Sequence, residues 1–103
     1  MKEIITQLKK AFDNKLRLGI MSMLMVNDSV DFTTLRDNLA VTDGNLSAHI
    51  KALHKEGYVD IKKQFIGNKP NTSYSVTEKG RVAFLDHLAY LEKIIRIQKQ
   101  QES

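Results

Sequence analysis

A mainly helical chain with one small β-hairpin is the fold class that this sequence predicts. Three observations predict it. Apolar residues recur every three to four positions through the first half of the chain. The period drops to two between Val59 and Val76, then returns to three and four after Thr77. A length of 103 residues suits one domain with one modest core, which excludes a multidomain enzyme.

The segment Lys2 to Phe12 sets Ile4, Ile5, Leu8 and Phe12 on one stripe, predicting an N-terminal helix over residues 1–12. Asn14 to Val26 repeats the pattern with Leu16, Ile20, Met23 and Leu24, as a second helix or as one helix bent near Asp13. Met21, Met23 and Met25 could form a soft-metal strip, but flexible Met fills irregular gaps and is read here as core. Asn27-Asp28-Ser29 marks a turn. Phe32 then precedes Thr33 and Thr34, candidate N-caps for a helix of about two turns that buries Leu35 and Leu39 and ends near Ala40.

Thr42 restarts the chain as a cap, and Asp43 favours the positive end of the next helix, which runs over residues 43–56. Its buried stripe is Leu46, Ile50 and Leu53, and Gly57 stands where a left-handed cap is expected. Beyond it, Val59, Ile61, Lys63 and Phe65 alternate with Asp60, Lys62 and Gln64. Gly67-Asn68-Lys69-Pro70-Asn71 reads as a turn, and Tyr74 and Val76 as a returning strand, so residues 59–76 form a hairpin with a polar, basic tip.

Thr77 caps a last helix over residues 77–99, with the Gln-rich end after Ile97 expected to fray. Phe84, Leu88, Leu91 and Ile95 make a two-heptad seam, widened by Leu85, Ile94 and Ile97. That is more apolar surface than a chain terminus needs, so Phe84, Leu88, Leu91 and Ile95, with Ile4, Ile5 and Leu8 beside them, are the candidate interface of a homodimer. The alternative is that the two terminal helices cover each other within one chain.

The chain has 16 Lys and Arg against 12 Asp and Glu, a formal charge of +4. Between Ile61 and Arg81 stand five cations and one anion, so the whole surplus is concentrated there. A concentrated basic segment suits a polyanionic partner; the plain alternative is a solvated Lys-rich hairpin. There is no cysteine, which removes disulfides, thiolate metal sites and a thiol nucleophile and fits a reducing compartment. No run approaches the ~18 apolar residues of a membrane span, so a cytoplasmic protein without a membrane partner is expected.

His49, His54 and His87 are the only histidines, and His49 and His54 diverge by about 140° around a helix. No metal site is expected from that spacing. Glycine-rich phosphate loops and nucleophile-elbow motifs are missing from the sequence, so neither an enzyme nor a cofactor is predicted.

The order helix, helix, short helix, helix, hairpin, helix describes a winged helix-turn-helix with a C-terminal dimerisation helix, its core spanning residues 14–76. A helix over 43–56 that buries only one stripe leaves its other face free to enter the DNA major groove, with Asn45, Ala48 and His49 near that face. The stretch Thr42 to Val59 resembles the recognition-helix motif of MarR- and ArsR-type winged-helix transcriptional regulators. Ser75-Val76-Thr77-Glu78-Lys79-Gly80 resembles their strand running into T-x-x-G.

The resemblance covers Asn14 to Phe84 and implies a regulator that binds double-stranded DNA as a dimer. By position, it places Asn45, Ser47, Ala48 and His49 at base edges. It places Thr33, Thr34, Thr42 and Lys51 at phosphates, and Lys69 with Asn68 at a wing tip near the minor groove. Lys62 and Lys63 add backbone contacts, and Gly44 permits close approach to a phosphate. Ala48 stands where such families often carry Arg, and Lys69 where Arg is favoured. Two other uses of the fold stay open: a protein-interaction module, and an architectural DNA-binding protein without operator preference. No residue identifies a small-molecule effector.

Overall fold

The computed structural model describes residues 10–102, so Ile4, Ile5 and Leu8 and the expected N-terminal helix up to Lys9 lie outside the described residues. Within them the chain forms a 3-10 turn at Lys10–Phe12, then four α-helices and three strands. They are α1 (Lys15–Met25), β1 (Val30–Asp31), α2 (Phe32–Leu39), α3 (Asp43–Lys55), β2 (Val59–Ile66), β3 (Lys69–Val76) and α4 (Glu78–Glu102). The strands form an antiparallel sheet in the order β1-β3-β2.

Each of the four α-helices starts with a side-chain oxygen on an otherwise orphaned amide; at α4 it is Thr77 Oγ1, accepting from Gly80 N at 2.9 Å as its sequence position predicts. The Asn14 carbonyl accepts from Leu16 N (2.8 Å) and Arg17 N (3.3 Å). Thr42 Oγ1 accepts from Asn45 N at 3.2 Å, as its sequence position predicts. At α2 the cap is Asp31, whose carboxylate accepts from Thr34 N at 2.8 Å. Thr33 and Thr34, expected as caps, instead occupy the first helical turn, because the anionic carboxylate completes the positive helix end better than a neutral hydroxyl. Hydrogen bonds from the Thr34 side chain and backbone, with one from the Asn71 side chain, hold Asp31 below the ordinary carboxylate value.

Val30 pairs with Tyr74 and Asp31 with Ser73, a third strand too short to show a sequence period. The hairpin turn is also tighter than expected, since Ile66 pairs with Lys69 and only Gly67-Asn68 remain in the loop. Gly67 takes φ +63° while Asn68 stays out of the left-handed region, the pattern of a type II′ turn. Pro70 therefore belongs to β3, opposite Phe65. It is tolerated because a non-hydrogen-bonded pair turns its missing N–H away from β2, and β1 does not flank β3 at that point.

The core gathers Ile20, Met21 and Leu24 from α1, Leu35 from α2, and Leu46, Ile50 and Leu53 from α3, with Val30, Tyr58, Val59 and Tyr74 beneath them. The α3 stripe is the one its spacing predicts. Phe12 closes one end, its ring 5.2 Å from Tyr58 and 5.3 Å from both Phe84 and His87. Phe84, expected on the dimer seam, is thus committed to the core of its own chain at 2% exposure. The predicted fraying after Ile97 is not found, and α4 continues to Glu102 with Arg96 paired to Glu92 at 2.7 Å.

His87 is 4% exposed, and burial lowers its pKa below the ordinary 6.5, with the Asp13 carboxylate partly opposing. The unfolded chain therefore binds a proton at a pH where the folded chain does not, and stability falls as pH drops from 6.5 toward the depressed folded value. We expect the wild-type Tm to decline relative to His87→Gln between roughly pH 7 and pH 5. Parallel Tm curves for the two proteins would contradict this.

Candidate nucleic-acid interface

Burial of Leu46, Ile50 and Leu53 turns the opposite face of α3 outward. Gly44, Asn45, Ala48 and Lys51 are exposed, while Ser47 and His49 are half-buried. Gly57 ends the helix at φ +81°. A Cβ built at Gly44 meets no heavy atom within 4 Å, so packing within the chain does not demand glycine there. Thr42 is exposed at the helix start.

His49 does not stand free. Arg17 of α1 donates from Nε to His49 Nδ1 at 3.0 Å and from Nη1 to the Ala11 carbonyl at 3.3 Å. Arg36 of α2 likewise ties the turn before α3, pairing with Asp43 at 3.0 Å and Asp37 at 3.1 Å. Those carboxylates raise the Arg36 pKa further, so the guanidinium stays charged. His54 donates from Nδ1 to the Val59 carbonyl at 2.8 Å, anchoring the far end of α3 to β2.

The wing separates residues that are adjacent in sequence. Lys62 pairs with Ser73 and Lys63 with Thr72, so the two lysines lie on opposite faces of the hairpin. Lys69 shares the Lys62 face, next to the tip. Lys62, Lys63, Asn68 and Lys69 are all exposed. Thr33 and Thr34 also diverge. Thr33 lines a cleft with Pro70, Asn71 and Thr72 of the wing. Thr34 lines a separate one with Met23, Asn27 and Ile66.

The tip is not purely polar, since Phe65 is 72% and Ile66 61% exposed. Sequence alternation carries no warning of this, because it places Phe65 on the core-facing side without showing that the core ends before it. On α4 the exposed large apolar residues are Val82, Leu85, Leu88 and Ile95, and Leu91 is half-buried. Val82 escapes a heptad reading because it lies off the seam positions. Among the described residues no helix is long and apolar enough to cross a membrane, and no three His, Asp or Glu side chains could jointly hold a metal ion.

Relatives place this geometry. An uncharacterized protein of Methanocaldococcus jannaschii is 36% identical over 93 residues, covering 90% of this chain and 98% of that one. A transcriptional regulator homologue from Pyrococcus horikoshii superposes with a TM-score of 0.84 at 31% identity, over 93% of this chain and 96% of its own. Bacillus subtilis PadR, solved in complex with operator DNA, shares the fold at 17% identity with a TM-score of 0.65, over 73% of this chain and 47% of PadR. The sequence itself matches the winged helix DNA-binding domain family over residues 16–95. A helix with one face free, a hairpin beside it and this match together establish that the chain belongs to the family of winged helix DNA-binding domains.

Proposed function

We propose that the chain is a homodimeric transcriptional regulator that reads double-stranded DNA by sequence, with α3 in the major groove and the wing on the flanking backbone or minor groove. The observation that carries this reading is the free face of α3, which presents Asn45, Ala48 and Lys51 beside a hairpin bearing Lys62, Lys63 and Lys69. Asn45, Ser47, Ala48 and His49 would meet base edges. Thr33, Thr42 and Lys51 would meet phosphates, with Gly44 permitting close approach and Thr34 contacting the backbone from the other side of the sheet. Asn68 and Lys69 would lie at the tip. Ala48 offers a methyl contact to thymine and no hydrogen bond, so backbone contacts supply much of the affinity.

The test is fluorescence anisotropy on random duplex DNA and on the DNA upstream of the gene, at several salt concentrations. A sequence-reading regulator binds the upstream DNA at least about 10³-fold more tightly, with steep salt dependence. Replacing Lys62, Lys63 and Lys69 with Gln should flatten the log–log salt slope by about 0.9 for each phosphate contact removed. An unchanged slope would remove the wing from the interface. Equal affinity for all duplexes would favour an architectural role. The exposed Phe65 and Ile66 favour a second reading, in which the wing meets a protein partner; no DNA binding at low salt would support that one.

A further inference from the structure

We propose that Arg17 is a positioning residue for base reading, fixing His49 in the tautomer that presents a hydrogen-bond donor to DNA. This rests on the proposed function. An arginine guanidinium has donors and no acceptor. The 3.0 Å contact between Arg17 Nε and His49 Nδ1 therefore requires Nδ1 to be the acceptor, without a proton. The imidazole is then neutral and carries its single proton on Nε2.

Among the described residues this is the one hydrogen bond of the His49 ring, and none of them takes up Nε2–H. The second bond of Arg17, to the Ala11 carbonyl at 3.3 Å, holds the guanidinium from its other side. Arg17 is itself half-buried and is locked in place by these two bonds.

A fixed tautomer changes what position 49 can read. A free imidazole exchanges its proton between the two nitrogens and can meet either a donor or an acceptor. The ring held by Arg17 offers a donor only. It suits guanine N7 or O6, adenine N7 or thymine O4, and is mismatched to the cytosine amino group. Arg17 lies on α1, away from the helix that enters the groove, so its contribution is made through the ring rather than by touching a base.

The experiment has two arms. In the first, long-range proton–nitrogen correlation spectra of the nitrogen-15-labelled protein are recorded, with His49 assigned by its loss in His49→Gln. Nδ1 should appear unprotonated and Nε2 protonated in the wild type, mixed tautomers should appear in Arg17→Met, and Arg17→Lys, which keeps a donor, should restore the wild-type pattern. A protonated or mixed Nδ1 in the wild type would overturn the proposal.

In the second arm, the wild type and variants each select duplexes from a random-sequence pool. Arg17→Met should lose on the order of tenfold of the base preference at one position per half-site and leave the others intact. His49→Gln should lose the same position, with no further effect from Arg17→Met in that background. A uniform fall in affinity, or an unchanged preference, would reduce Arg17 to a structural or phosphate-contacting residue and overturn the inference. If the wild type selects no duplex, the DNA reading fails together with this one, whereas an intact selection without a tautomer effect removes this one alone.

Discussion

Gly80→Ala is expected to remove a large share of the protein's stability. A Cβ at this position would fall 2.9 Å from both the Cα and the carbonyl carbon of Tyr58 and closer still to its carbonyl oxygen. Backbone cannot swing aside as a side chain can, so the first turn of α4 must move away from the start of β2. That movement would strain three bonds. Thr77 N donates to the Tyr58 carbonyl at 3.0 Å, Thr77 Oγ1 donates to the Gly57 carbonyl at 2.7 Å, and Gly80 N donates to Thr77 Oγ1 at 2.9 Å. It would also loosen Ala83 and Phe84, both buried in the core.

Overpacking typically costs about 1–3 kcal/mol, and each hydrogen bond lost at the joint adds about 0.5–1.5 kcal/mol. The total is a large share of the stability of a small domain, about 5–15 kcal/mol, and reaches its lower end. Chemical denaturation should show a midpoint shifted far to lower denaturant. A midpoint within experimental error of the wild type would mean that α4 can dock without the close approach.

Leu88→Glu is expected to give a folded monomer that binds DNA at least about 100-fold more weakly, because the second half-site contact becomes a separate binding event. Leu88 is 41% exposed, so the new carboxylate reaches water in a single chain and the core is untouched. In the proposed dimer it would be buried without a partner, which is strongly unfavourable. Ile95, one heptad further along and 52% exposed, should respond in the same way. Sedimentation and anisotropy on one preparation, with circular dichroism as the control for folding, decide the matter. A dimer that survives both substitutions would place self-association elsewhere.

Much of this architecture was legible because its signals are local. The Leu46, Ile50, Leu53 stripe, the Thr42 cap and the left-handed Gly57 depend on residues within a few positions of one another. What escaped depends on distant partners. β1 exists because Val30 finds Tyr74, and two residues carry no period. Phe84 was legible as apolar, but its choice of Phe12 over a second chain was not. In the candidate interface, helix spacing gave the free face of α3, whereas the Arg17–His49 bond joins residues 32 apart and has no sequence signature. The T-x-x-G resemblance marked Gly80 as notable, and only the nearness of Tyr58 explains it.

The hydroxyl of Thr77 also has a mechanical consequence. By bonding Gly57 and Gly80 at once, it makes a stiff joint between the end of α3 and the base of α4. The 25 residues of α4 make a lever about 37 Å long at 1.5 Å per residue. A tilt of about 5° at that joint moves its far end by roughly 3 Å, near the rise of one base pair. In a dimer held along α4, the separation of the two recognition helices would therefore be set at this joint, and small changes there would retune which half-site spacing the protein accepts.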